Sequence, residues 1–366
     1  MKRRHLPFMG RMDRYVLGHF VGSYATALFL LLGLFLIMDM ASNLDDYLEV
    51  GPDGTAPSTT LLAKYYLLKL PFLFLEVAPF ITLLAGMFTV NRLLKKNEVT
   101  PLLSAGVSVH RLLVPIFFCG FVLAGMMFFL REAAVAQLAD KRDFALYQLE
   151  ERKPERVLED VLIHDLSGAT AFVKRLFPDA DPIRAEDLSV VVYNGDITVH
   201  TKAKEAIWDE NTNLWRLRGG MRTVVADKRE STSIEVLVGF DLTPELALTY
   251  RRSKVPLDLS FSEVQELMSR EPEDSAFNTL WHYLLTFPLA NVVLLLVGLP
   301  VLFQYERGKG TERMALGGLF CIFYFAIDFV FRSLGLGGGL SPILAGWLPI
   351  LIVGSLGIAL TDSIRT

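Results

Sequence analysis

The chain has 366 residues and a net charge of −4, with 52% hydrophobic against 21% charged residues and a mean hydropathy of +0.39. That balance excludes an ordinary soluble chain, in which charge is spread evenly along the sequence. Here charge is confined to a few stretches between long apolar runs.

A membrane span needs roughly 17–25 predominantly apolar residues. Windows at 16–38, 66–90 and 112–130 qualify, and after residues 132–270 so do 277–303, 314–333 and 342–361. The first window follows a basic segment (Lys2, Arg3, Arg4, Arg11, Arg14), as a signal peptide would, but it is too long for the apolar region of one. Further basic residues lie between the second and third windows (Arg92, Lys95, Lys96, Arg111) and between the fourth and fifth (Arg307, Lys309, Arg313). The stretches 41–63 and 334–341 contain no Lys or Arg. The positive-inside rule then predicts both termini in the cytoplasm and 132–270 on the outer side. The predicted organisation is spans one to three over 1–131, with a cytoplasmic loop at 92–111, an outer domain at 132–270, and spans four to six over 271–366. Cys119 and Cys321 both fall inside apolar windows, so no disulfide staples the outer domain.

Within 132–270 the pattern is β. Leu188, Val190 and Val192 alternate with their neighbours up to an Asn194-Gly195 turn signal, and Ile197 and Val199 resume the rhythm. Lys204–Trp208, a polar loop at 209–213, and Leu214–Arg218 closed by Gly219-Gly220 predict a second hairpin. Val224, Val225, Ile234, Val236 and Val238 supply further strand material. Many short antiparallel strands point to a jelly-roll or sandwich. Val190, Val192, Ile197, Val199 and Ile207 are expected to line an open groove or a closed core. A helix is predicted to continue from span three over 132–153, and another over 261–270 with Ser260 or Ser262 as N-cap.

No catalytic or metal-binding set is predicted. Arg307-Gly308-Lys309-Gly310-Thr311 lacks the first Gly of a phosphate loop and has no Ser or Thr after its Lys, and reads as a basic turn. His164-Asp165 near Ser167 has no accompanying oxyanion motif and reads as a surface loop, and the six His are scattered.

Charges inside the spans carry more information, because a mid-membrane carboxylate costs at least roughly 2.5–3.5 kcal/mol. Glu76, between Pro71 and Pro79, is therefore expected to face the bundle interior, toward a lipid cavity or a neighbouring helix. Asp328 and Arg332 have the favourable i,i+4 order for an intrahelical pair. Arg332 is alternatively placed to meet an anionic head group.

The segment from Asn97 to Ser108 is a short amphipathic piece ending in Gly106-Val107-Ser108. With Met12-Asp13-Arg14-Tyr15, Leu70-Pro71, Ala78-Pro79-Phe80, Ala206-Ile207-Trp208, Leu214-Trp215-Arg216-Leu217, Phe287-Pro288-Leu289-Ala290, Gly298-Leu299-Pro300 and Leu344-Ala345-Gly346-Trp347-Leu348-Pro349, it resembles the LptF/LptG (YjgP/YjgQ) permease family of lipopolysaccharide export. The resemblance runs across nearly the whole chain, in order. It implies a polytopic α-helical protein of six transmembrane helices (3+3) with an inserted periplasmic all-β jelly-roll-like domain. It implies a bacterial inner-membrane subunit of an ABC transporter that extracts lipopolysaccharide, or a similar amphipathic lipid, and passes it to a periplasmic bridge. The implied partners are a cytoplasmic LptB-like ATPase dimer, a second permease of the family, LptC/LptA-like jelly-roll proteins and the lipid itself, with no nucleic acid. This chain would bind no cofactor, since ATP and Mg belong to the ATPase. Glu98, Leu102, Leu103 and Gly106 would form the ATPase-coupling segment, and Asp39, Glu76, Asp328 and Arg332 the lipid gate.

Span one departs from relatives that carry Lys at its outer end, since Asp39, Asp45 and Asp46 stand there. Acidic groups repel phosphate unless a cation bridges them. A membrane-anchored periplasmic receptor or scaffold, and a proton-driven lipid transporter, are the alternative readings.

Overall fold

The computed structural model describes residues 10–48, 58–151, 155–166, 168–194, 197–225, 229–253, 258–304 and 310–364. The basic residues Lys2, Arg3 and Arg4, the turn residue Gly195, Ser167, and most of the Arg307–Thr311 turn lie outside them. The helices are α1 (Arg11–Leu48), α2 (Thr59–Lys95), α3 (Val99–Ser104), α4 (Val109–Leu130), α5 (Ala136–Glu150), α6 (Pro244–Arg252), α7 (Phe261–Arg270), α8 (Ser275–Thr286), α9 (Ala290–Gln304), α10 (Gly310–Leu336) and α11 (Pro342–Asp362). A π-helical turn at Arg131–Val135 joins α4 to α5, and a 3₁₀ turn at Phe287–Leu289 joins α8 to α9. Six of these helical stretches are long and apolar enough to cross a membrane, and each contains one of the six windows. Compact packing divides the chain into a membrane unit (Met1–Leu44, Leu70–Ala133, Ser275–Thr366) and a second unit (Asp45–Lys69, Ala134–Asp274).

In the membrane unit, α8–α9 is the hub. Of its most apolar window 83% is buried, against 11% for α1 and 22% for α10, so the first and fifth spans turn most of their apolar surface outward. Bilayer lipid is as apolar as Leu, and close helix approach therefore depends on small residues. A Cβ on Gly346 would lie 2.7 Å from His282 Cβ, and one on Gly357 2.8 Å from Leu296 Cβ. Both glycines seat α11 against the α8–α9 backbone. One polar knot ties three spans together. Asn291 is fully buried, accepts from Thr82 Oγ1 at 2.6 Å, and donates to Pro288 O at 2.8 Å and toward Met127 Sδ at 2.9 Å.

The second unit is built on one antiparallel sheet of six strands in sequence order, a meander. Its strands are β1 (Leu158–His164), β2 (Thr170–Phe177), β3 (Arg184–Asn194), β4 (Ile197–Asp209), β5 (Leu214–Val225) and β6 (Arg229–Leu237). With the six candidate spans, this makes the chain a helical membrane protein with an inserted β-domain. Ser260 caps α7 in a capping box with Glu263. Buried Arg156 joins Asp179 at 2.7 Å and Asp140 of α5 at 2.8 Å, and Arg142 of α5 joins Asp258 at 2.7 Å.

A crease runs across this sheet. In five consecutive strands two exposed or half-exposed residues separate buried ones three apart: Leu158/Val161, Val173/Leu176, Ala185/Leu188, Ala203/Ala206 and Leu217/Gly220. The strand register continues unchanged through the break from β1 to β5, so the core-facing parity switches in all five strands along one row. On alternate strands the row residue has positive φ: Asp160 (51°), Asp187 (53°) and Gly219 (66°). Asp and Gly are the residues that tolerate this conformation. Lys174 stands between the two acids, 3.8 Å from Asp187. The crease corrects two expectations. Gly219-Gly220 does not end a strand but sits inside β5, beside a register shift against β6. Ile207 falls off the buried face, because Ala206 takes it after the switch.

Asp187→Val forces a β-branched residue into the left-handed region and is expected to destabilise the sheet by about 1–3 kcal/mol. Asp187→Gly is expected to be neutral. Hydrogen exchange of the β2–β4 amides in the full-length protein distinguishes the two.

Candidate functional site

The loop between spans two and three folds as the short helix α3, set off by positive-φ residues Asn97 (53°) and Gly106 (80°). Its sequence alternates roles. Val99 is buried and Leu102 packs against the membrane-unit core, while Leu103 is 40% exposed, with Pro101, Ser104 and Ala105 exposed around it. Leu102 thus fixes α3 and Leu103 is presented outward. Glu98 precedes the helix without a side-chain cap bond. Its carboxylate instead accepts from Tyr15 Oη at 2.9 and 2.8 Å and lies 3.9 Å from Lys96. Two residues earlier in α1, buried Asp13 takes both ends of the Arg111 guanidinium at 2.7 and 2.8 Å and accepts from Gly10 N at 2.9 Å. The start of span one is therefore clamped to both flanks of α3.

Between α1, α2 and α10 lies a crevice of about 430 Å³ with an apolar lining. Leu31 comes from α1, Phe80, Leu83, Leu84 and Met87 from α2, and Met314, Gly318, Cys321 and Ile322 from α10. Phe80 stacks on Phe325 with centroids 4.3 Å apart, closing one side. Walls of this kind, without polar anchors, accept an alkyl chain.

None of the four gate residues read from the sequence lines this crevice. Asp39 accepts from the Asn43 amide, Nδ2 to Oδ1 at 3.3 Å. Glu76 is exposed rather than turned to the bundle interior, because its neighbours Leu75, Val77 and Ala78 take the buried face of α2. Asp328 is buried, and the expected Asp328–Arg332 pair is not made among the described residues. The Arg332 guanidinium lies 4.6 Å over the Tyr283 ring instead. A cation on an aromatic face and a carboxylate one turn away compete for the same side chain, and here the ring has it.

In the β-domain, Val190 is a closed-core residue and Val192 packs on that core, whereas Ile197 is 42% exposed and Val199 and Ile207 are half-buried. The five residues do not form one lining. His164 and Asp165 each face other partners. His164 Nδ1 meets Thr170 Oγ1 at 3.2 Å and its Nε2 is 3.9 Å from Glu271, while Asp165 accepts from Asp241 N and faces Arg270. Burial pushes the neighbouring Tyr250 phenol well above its ordinary value, and its hydrogen bond to Glu271 at 2.8 Å adds to the shift. That residue stays a donor throughout the physiological range.

Sequence reasoning singled out neither Asp13–Arg111 nor Thr82–Asn291 as a contact. A lone acid among N-terminal basic residues, and polar residues inside apolar windows, were the available signals.

Six apolar spans, a crevice among three of them, an outward-facing connecting helix and an inserted sheet define a polytopic membrane permease with a β-domain insertion. Residues 14–362 match the family described as lipopolysaccharide export system permease LptF/LptG, and the chain belongs to that family. Comparison with curated individual proteins gives no match.

Two substitutions test the site. Nothing lies within 4 Å of a Cβ placed on Gly318, so Gly318→Leu is expected to fill the crevice without backbone strain. Lipid retained by the purified protein, read by native mass spectrometry, falls several-fold. Asp13→Ala leaves Arg111 unpaired and is expected to cost about 3 kcal/mol. An Asp13→Ala/Arg111→Leu double variant recovers most of that loss in thermal inactivation.

Proposed function

We propose that the chain is the permease half of an ABC exporter in the bacterial inner membrane, with both termini cytoplasmic and the inserted domain periplasmic. A separate LptB-like ATPase dimer binds ATP and Mg and docks on α3. A second permease of the family completes the transporter. Lipopolysaccharide or a similar lipid enters by its acyl chains at the crevice between α1, α2 and α10 and leaves along the β-domain to LptC/LptA-like proteins.

The observation that carries this reading is the clamp. A helix with an outward Leu103 is tied through Tyr15–Glu98 and Asp13–Arg111 to the span that walls the crevice. A push on α3 is therefore transmitted to α1 through a charge pair and a phenol–carboxylate hydrogen bond. Among the described strands β6 pairs with β5 alone, which supports the hand-off, since an unpaired strand edge accepts a strand from a partner sheet.

Leu103→Glu adds a charge to an exposed position and is expected to leave the fold intact. ATPase co-purifying with the gently solubilised protein drops at least roughly tenfold. If wild-type protein brings down no ATPase, the exporter reading fails, and a proton-driven transporter using buried Asp328 or a receptor role takes its place.

A further inference from the structure

A second cavity, of about 450 Å³, opens at one end of the inserted sheet, where the β4–β5 hairpin meets the chain leaving β6 for α6. Its walls set aromatic and apolar side chains beside polar ones, among them Asn213 and Thr243. The Trp208 and Trp215 rings lie 5.2 Å apart at 58°, with Phe240 and Leu237 beside them. Trp215 is 2% exposed and donates Nε1 to Leu242 O at 2.6 Å, which fixes the indole plane. Among the described residues no Lys or Arg lines it, while Glu210, Asp241 and Glu245 do. Asp241 is neutralised by Arg270 at 2.6 Å, and the nearby Arg216 is engaged by Asp209. Among the described residues, Glu210 and Glu245 have no cationic partner.

An indole face with uncompensated carboxylates at its rim recognises a cation on an apolar stem. Arginine meets both demands, since its planar guanidinium stacks on the ring while its edge bonds a carboxylate. The cavity also continues the sheet's open edge. Leu237, the last residue of β6, is part of its lining, and β6 pairs with β5 alone among the described strands. A strand laid along β6 by main-chain hydrogen bonds ends over the cavity.

We propose that this cavity is the anchor pocket for an arginine carried by an extended segment of a partner polypeptide that adds to β6. The inference rests on the permease reading only in taking the partner to be a β-bridge protein.

The test uses full-length protein in detergent and a fluorescein-labelled Val-Thr-Val-Arg-Val peptide, blocked at both ends, against the same peptide with citrulline for arginine. Anisotropy is expected to show the citrulline peptide binding roughly tenfold more weakly. Glu210→Gln and Glu245→Gln, made singly because Glu245 also serves the first turn of α6, each weaken the arginine peptide and leave the citrulline peptide unchanged. Equal binding of the two peptides overturns the proposal, as does quenching of the pocket indoles by amine-lipid micelles but not by peptide. If the peptides are not discriminated while the gene still restores lipopolysaccharide export to depleted cells, the pocket fails and the permease reading stands. Loss of that restoring activity in the wild type would sink the permease reading instead.

Discussion

The position of span one depends on one charge pair. With only 11% of its most apolar window buried, α1 has little packing to hold it, and a helix bathed in lipid gains nothing from apolar contact that lipid does not already offer. What fixes it is Asp13, nearly buried and bonded at both oxygens to Arg111. Such a pair adds little net stability, since desolvating two charges offsets their attraction. Separating them is costly, and that asymmetry makes the pair a locator. Tyr15–Glu98 adds a second point of attachment two residues further on, so α1 is held to both flanks of α3.

The rest of the membrane unit is held by packing and one buried amide. α8–α9 is enclosed on nearly all sides, with glycines of α11 pressed to its backbone and Asn291 joining it to α2 and α4. In the membrane interior an unmet amide costs several kcal/mol, so a fully bonded Asn291 locks three helices in register. The crevice forms where α2, one of the locked helices, meets the two least buried spans. Leu31 alone lines it from α1, so a small displacement of α1 changes its width.

How much of this the sequence discloses follows from the length of the interactions. The six spans are legible because bilayer thickness imposes one length on every crossing segment. The α3 segment and the Ser260 cap are legible because both are local patterns. The sheet is legible up to the crease: strict alternation predicts Val199 and Ile207 on one face, and the shared parity switch at Lys204 separates them. A run such as Ala203-Lys204-Glu205-Ala206 does carry that signal, with small residues three apart, but only the coincidence of five such runs in space gives it meaning. Asp13–Arg111 spans 98 residues and Thr82–Asn291 spans 209. No periodicity connects such partners, although each residue is conspicuous as a polar group where apolar ones prevail.

Arg332 shows why a charge in a span cannot be assigned from spacing alone. Its i,i+4 relation to Asp328 is correct for a pair, yet the guanidinium sits over Tyr283. In a low-dielectric setting an aromatic face holds a cation without the full desolvation penalty of a buried ion pair. The head-group end of span one is acidic in this chain, at Asp39, Asp45 and Asp46, so attraction of a phosphate there is weak. The apolar crevice has no such requirement. Under the proposed lipid route, recognition by acyl chains first, with charge serving to place helices rather than to hold the lipid, is the division of labour that this distribution of residues favours.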